Sequence, residues 1–402
     1  MLKGLDFNRI NGYLLLLFVA AFPLSRAIAS IFTVYFILYF LVKLFKKKIP
    51  LTFFKHPLVV SLLLFIFYML LSNLWNGQKG FYGRGYAQLI SILGIALYLY
   101  ENPKYIYKTV SAFLFGMLIS EILSYGIFFK LWSINGRTSN DPTPIMYHVT
   151  YSIFLAFTSL ILLNRIFSKK TSFKEKILYG VFFTTVTTNL FINAGRTGQI
   201  VFVISLIVLY FIHYKFTIKK LIIVFFIISS MIIGFYNISP NFKNRLINAQ
   251  NDIKAMIKGD YRQSIGGRVA MLKTSFLLVK EKPMFGYGVG GQGRGVKKLV
   301  KDKKIKFPKI LQYKMETSHL HNQFMQIFVE GGFIGLILFL SIIYNILKLN
   351  IEDKEIKDLS IVFIVIYCIG SFSDVLIHTQ FTKILFILFV AIFLSKELNG
   401  TK

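Results

Sequence analysis

The sequence predicts an all-α, polytopic membrane protein of about twelve transmembrane helices with one long, partly helical external loop. Three observations carry this reading. The 402 residues are 55% hydrophobic and only 16% charged, far too apolar for one soluble domain. Apolar runs of about 20 residues recur along the chain, the length needed to cross a bilayer. A single stretch of about eighty polar residues interrupts them late in the chain.

Taken in order, the spans are expected to begin near Asn11, Ala27, Pro57, Ala87, Thr109, Tyr147, Ile177, Gln199, Leu221, Asn322, Leu359 and Phe381. The first run follows a basic start and is joined almost at once by a second, which predicts a retained span rather than a cleaved leader. Basic loops such as "KLFKKKIPLTFFK" and "NRIFSKKTSFKEK" alternate with nearly uncharged turns such as "FPLSR" and "NAGRTG". With both termini cytoplasmic, the inner segments collect about 22 Lys/Arg against about 7 on the outer side, the long loop aside. The expected organisation is one integrated domain: spans 1–9 in residues 1–237, the external loop in 238–320, and spans 10–12 in 321–402.

That loop carries about 18 Lys/Arg against about 5 acids, a load tolerated outside because long translocated loops escape the positive-inside rule. Its first half has helical periodicity, expected to break at Gly266-Gly267 and stop at Pro283. The run "FGYGVGGQGRG" resembles a nucleotide-binding loop on paper. It follows a proline rather than a strand and opens no clear helix, so a flexible loop is expected. The lysine-rich stretch 297–314 reads either as a solvated basic face or as a surface for phosphorylated lipid.

The net charge of +30 points, at this hydropathy, to membrane lipids and phosphorylated substrates rather than to nucleic acid. One cysteine, Cys368, permits no intramolecular disulfide and reads as a small buried hydrophobe.

Chemistry concentrates at the outer face. His148, His319, His321 and His378 all fall there from separate parts of the chain. Arg196 sits in a turn too short to need a charge. Arg268 follows the Gly-Gly pair, where its guanidinium and backbone amides are placed to face one anion. The pair His319-x-His321 lacks a convincing further ligand pattern, so no metal is expected. Glu330, about 12 Å down the tenth span at the helical rise, needs a partner, and an arginine is the expected one; Asp374 near the eleventh span's outer end is left open. Gly332 and Gly335 are expected to let a neighbouring helix pack closely.

The order His321-Asn322, nine residues, Gly332, two residues, Gly335 resembles the signature of the O-antigen ligase family. That family shares a superfamily with O-antigen polymerases and protein O-oligosaccharyltransferases. "GRTG" at Arg196, "IGGRVAML" at Arg268, "SHLHN" and "SD" at Asp374 extend the resemblance over roughly Arg137 to Phe381. The resemblance implies an inverting glycosyltransferase of the bacterial inner membrane, needing no metal, nucleotide or cofactor and working at the periplasmic face. The implied donor is a glycan on undecaprenyl pyrophosphate, and the implied acceptor a sugar of lipid A-core. It makes His321 the base or positioner for the acceptor hydroxyl, and Arg196 and Arg268 the groups on the departing pyrophosphate. His319 and Asn322 would orient the base, with Asp374, Arg137 and His148 as further substrate-binding candidates. A polymerase using the same donor is the alternative, disfavoured because one substantial external loop is found where two are expected. A lipid-linked oligosaccharide transporter is a second, disfavoured because charges gather at one face instead of through the span interiors.

Overall fold

Apolar side chains at helical spacing, with polar and proline-bearing connections, fold into helices throughout. The computed structural model describes residues 7–78, 80, 82–213, 217–238 and 240–400. It is 77% helix, with no strand among the described residues. The helices run α1 (Phe7–Ala21), α2 (Arg26–Phe45), α3 (Leu51–Lys55), α4 (Pro57–Leu71), α5 (Arg84–Ala87), α6 (Ser91–Glu101), α7 (Ile106–Phe128), α8 (His148–Phe167), α9 (Phe173–Ile192), α10 (Arg196–His213) and α11 (Ile218–Ile238). Four then form the polar stretch, α12 (Pro240–Ile257), α13 (Ser264–Glu281), α14 (Gln292–Lys301) and α15 (Lys309–Thr317), before α16 (Gln323–Leu347), α17 (Lys354–Ser371) and α18 (Gln380–Gly400).

Among the described residues, five helical segments are long and apolar enough to cross a membrane, Arg26–Phe45, Pro57–Leu74, Pro103–Phe128, His148–Phe167 and Gln323–Leu347. Helices also stand at the other expected span positions; α1 and α6 are shorter, and α18, for example, carries more charge in Lys383, Lys396 and Glu397. On the membrane-length helices, Leu38, Phe67, Phe115 and Ile122 point outward and exposed, an arrangement costly in water and natural against lipid.

The bundle is organised on α18, where every residue from Phe381 to Ser395 is buried. Being apolar nearly all round, this helix suits a position enclosed by others. It packs on α2, α6, α8 and α17, and Phe389 meets Phe157 with ring centroids 4.6 Å apart, edge to face.

The polar stretch has a small core of its own, including Ala270, Leu278, Val296, Leu299 and Met315, which also takes in Leu320 and Val329 at the start of α16. Glu281 at the end of α13 is hydrogen-bonded by Tyr287, Lys298 and Lys304. Burial alone would raise its carboxyl, yet these donors hold it down at about 2.

Three expectations need correction here. Gly266-Gly267 does not break a helix: both lie inside α13, and the interruption falls at residues 258–263. Gly266 is instead a close-approach residue, since a Cβ there would lie 2.8 Å from Tyr261 Cα. Arg268 therefore sits one turn past Ser264, the first residue of α13.

The glycine run is not a free loop. It crosses α16 as an ordered strap and then opens α14 at Gln292. Tyr287 and Gly288 donate their backbone N–H groups to the carbonyls of Val329 and Glu330, and Phe333 donates to the carbonyl of Pro283, each at 2.8 Å.

The crossing explains Gly332. The residue takes φ 62° and ψ −162°, breaking α16 in a region of backbone space reserved for glycine. A Cβ there would lie 2.2 Å from the Met284 carbonyl oxygen. Gly332 thus receives the strap rather than a neighbouring helix. Gly335 does face a helix: its Cβ position is 3.3 Å from Tyr68 and 3.4 Å from Met69 of α4.

Candidate active site

Two connections bring the polar groups at one end of the bundle together: Ser318–Asn322 leading into α16, and the turn between α17 and α18. Asn322 caps α16, its side-chain oxygen accepting from the Met325 N–H at 3.0 Å. Just before the cap, His321 adopts φ 50°, the left-handed region that a non-glycine residue rarely occupies. The kink is secured on its other side, where buried Leu320 donates its N–H to Gln326 Oε1 at 2.9 Å. His319 and His321 consequently turn to one acceptor.

That acceptor is Asp374. Its Oδ1 lies 3.2 Å from His321 Nδ1 and 3.3 Å from His319 Nε2, and it accepts the Val375 N–H at 2.8 Å. The two imidazoles stand with centroids 4.5 Å apart. Burial pushes the Asp374 carboxyl up, but the hydrogen bonds from His319 and His321 hold it well below the usual carboxylate range. Bound to the carboxylate through Nδ1–H, a neutral His321 keeps its lone pair on Nε2, the arrangement of a general base. His321 is about a third exposed and Asp374 largely covered.

The α10 N-terminus reaches this turn: Thr197 Oγ1 and Ser373 Oγ lie 2.6 Å apart, so Arg196 is one residue from a contact adjoining Asp374. Gly195 also lets the α10 N-terminus lie close against the start of α8, since a Cβ there would be 2.4 Å from the His148 carbonyl oxygen. His148 and Arg137 share Asp141, Arg137 Nη1 at 3.1 Å and His148 Nδ1 at 3.6 Å from Oδ2. Arg137 also lies over the Tyr147 ring, as does Arg26. Arg268 makes no hydrogen bond or ion pair among the described residues.

His378 does not join the first two histidines. It forms a second network with Glu330 (3.4 Å), the Tyr86 hydroxyl (3.2 Å) and Gln323 (3.3 Å). Tyr86 donates to Glu330 Oε2 at 2.6 Å, and Gln326 to Oε1 at 2.9 Å. The partner expected for Glu330 was an arginine; the partners found are a histidine, a tyrosine and a glutamine. Tyr86, Gln323 and Gln326 escaped sequence reasoning. Only Gln323 and Gln326 gave a signal, as two amides on the first turn of an apolar helix.

Comparison with known proteins adds to this geometry. Residues 180–340 match the family model described as O-antigen ligase. The match contains Arg196, Arg268, His319, His321 and Gly332, and stops short of Asp374 and His378. A Rickettsia conorii protein provisionally named a polysaccharide ligase is 39% identical over 103 residues, 23% of each chain. An uncharacterised Haemophilus influenzae protein is 26% identical over 235 residues, 56% of this chain and 57% of its own length. These alignments therefore span about half and about a quarter of the relatives' lengths.

The atoms His319 Nε2, His321 Nδ1 and Asp374 Oδ1 fit a second chemistry as well. The ligand atoms of this trio lie within 4.8 Å of one another, a spacing a divalent ion can bridge. In the observed orientation the same nitrogens point at the carboxylate, which is what a hydrogen-bonded base requires.

Proposed function

We propose that the protein transfers a glycan from undecaprenyl pyrophosphate to a sugar hydroxyl of lipid A-core at the periplasmic face of the bacterial inner membrane. The O-antigen ligase match and the Rickettsia relative support a ligase-type function. The observation that carries the mechanism is the His321–Asp374 contact, which leaves Nε2 free to take a proton. The acceptor oxygen attacks the anomeric carbon from the face opposite the pyrophosphate, so configuration inverts. As the new C–O bond forms, the bond to the phosphate oxygen breaks and its electron pair leaves with undecaprenyl pyrophosphate. The acceptor proton passes to His321 Nε2. Arg196 and Arg268 hold the departing pyrophosphate, whose growing charge they stabilise. His319 and Asn322 keep the base oriented, and Arg137 and His148 serve the substrate through their shared acid. The sugar–phosphate bond is already activated, so the reaction needs no further energy source.

The test is a reconstituted transfer assay: purified protein in liposomes, a defined undecaprenyl pyrophosphate glycan, with and without lipid A-core, products resolved by gel. Glycan appearing on lipid A-core, with no lengthening of donor alone, is the expected result. A ladder of longer lipid-linked chains from donor alone would make the protein a polymerase.

A further inference from the structure

The first residues of the strap carry a surface that the transfer chemistry leaves unused. The membrane-length segment Pro57–Leu74 presents Leu64, Phe67, Leu71 and Leu74 outward at helical spacing, and Leu74, its last residue, is 81% exposed. Beyond that end lie Met284 and Phe285 of the strap, each more than half exposed. Half-buried Trp75 ties the two parts together. Its indole N–H donates to the Phe285 carbonyl at 3.1 Å, and the two rings stand edge to face with centroids 6.3 Å apart. Exposed apolar side chains around a tryptophan, at the end of a membrane-length helix, match a membrane–water boundary.

Two cations border this patch. Arg294 donates from Nη2 to the Trp75 carbonyl at 3.1 Å, and exposed Lys282 stands two residues before Met284. Neither meets a carboxylate at ion-pair distance among the described residues; neighbouring Glu281 is engaged by Tyr287, Lys298 and Lys304. Burial and the nearby charges of Arg294 and Lys298 pull the Lys282 ammonium down, so three cations share one corner. Cations without an acid, set against an exposed apolar surface, suit a ligand with an anionic head and an apolar tail.

We propose that this corner is a site for one phospholipid with an anionic headgroup: Lys282 and Arg294 take the phosphate, and Leu74, Met284 and Phe285 take the acyl chains. A polyprenyl pyrophosphate has similar chemistry, but position separates the two. The strap meets α16 at Gly332, and the nine residues from Gln323 to Gly331 put about 13 Å of helix between that crossing and the loop carrying His321. A reacting donor has to bring its sugar–phosphate bond to the base, so an anion held at the strap is a resident lipid rather than the substrate. Because the strap also takes the carbonyls of Val329 and Glu330, a lipid bound here steadies the segment into which His321 leads.

The experiment is fluorescence quenching with the full chain in nanodiscs, read without turnover. Trp132→Phe leaves Trp75 as the single tryptophan. The probes are phosphatidylglycerol and phosphatidylcholine with brominated acyl chains, each titrated into unlabelled phosphatidylcholine. Half-quenching is expected at a mole fraction about twentyfold lower for the anionic lipid, roughly fivefold for each of two cations near a membrane surface. Lys282→Gln and Arg294→Gln should each remove about fivefold of that preference. If Arg294→Gln displaces Trp75, Lys282→Gln alone carries the test. Lys309→Gln removes the same charge on α15, whose Leu311 packs near Gly267 at the far end of α13 from Lys282, and should leave the preference unchanged. Equal quenching by the two lipids, or a fall as large in Lys309→Gln as in Lys282→Gln, overturns the proposal. Displacement of the brominated lipid by equimolar undecaprenyl pyrophosphate would give the site to the carrier and overturn it too.

Discussion

His321 Nδ1 lies 3.2 Å from Asp374 Oδ1 across 53 residues of sequence, the two side chains joining the entry of α16 to the turn before α18. From this contact the expected behaviour of the candidate base follows. His321→Ala should lower transfer by about 10²–10⁴-fold, the worth of a positioned general base, while the protein stays folded in the membrane. Turnover at the wild-type level would remove the assignment.

Asp374→Asn keeps the shape and loses the charge that orients the imidazole. Transfer should fall by roughly 10²-fold or more, and the melting temperature should drop too. The sign of the pH effect is fixed by a carboxyl held below its unfolded value. Its stabilisation is complete above the ordinary carboxylate range near pH 4 and fades as pH falls towards the lower folded pKa. The gap in melting temperature between wild type and Asp374→Asn should therefore be flat from about pH 5 to 7 and shrink below about pH 4. A gap that widens on acidification would contradict the pairing.

Arg268→Lys tests the pyrophosphate contact. With no internal partner to lose, the variant should melt within about 0.5 kcal/mol of wild type. A point charge cannot reproduce a bidentate fork, so transfer should weaken by about tenfold or more. Wild-type kinetics would separate Arg268 from the phosphates.

The strap across α16 makes Gly332→Ala far more damaging than Gly335→Ala. The first change meets both a forbidden backbone region and the Met284 carbonyl, and should reduce folded yield or melting temperature sharply. The second adds a methyl 3.3 Å from the Tyr68 ring and 3.4 Å from the Met69 sulfur, a tight fit against side chains rather than backbone, and should cost about 1–3 kcal/mol. Equal tolerance of both substitutions in a detergent melting assay would show that the crossing is unimportant.

Chelation decides between the two chemistries open to His319, His321 and Asp374. EDTA should change the transfer rate by less than about twofold if the trio works as a hydrogen-bonded base. A strong loss restored by zinc would make it a metal centre.

Helix positions were legible because they depend on length and apolar periodicity, properties local to each segment. The helix starts at Pro57 and Gln323 fall within a residue of those expected. Asp374 was noticed but its use was not, since a contact spanning 53 residues leaves no local trace. The same holds for Glu330 and Tyr86, 244 residues apart. Gly332 was picked out for its spacing, yet its reason was hidden. A glycine chosen for absence of bulk and one chosen for its backbone angle look identical in sequence. The glycine run was misjudged for a related cause: Gly286, Gly288 and Gly290 all take positive φ, which builds a fixed path as readily as a loose one.

The break at Gly332 splits α16 into two bodies with different attachments. The carbonyls of Val329 and Glu330 are taken by the strap, and that of Gly331 by the Tyr68 hydroxyl. The short piece that His321 leads into is thus tied both to the strap and to α4, whereas the longer piece after Gly332 packs along α4 and α17. On the proposed glycan-transfer reading, the position of the candidate base His321 is then a property of a joint between two parts, and lengthening or shortening the strap by one residue is expected to shift it relative to the bundle.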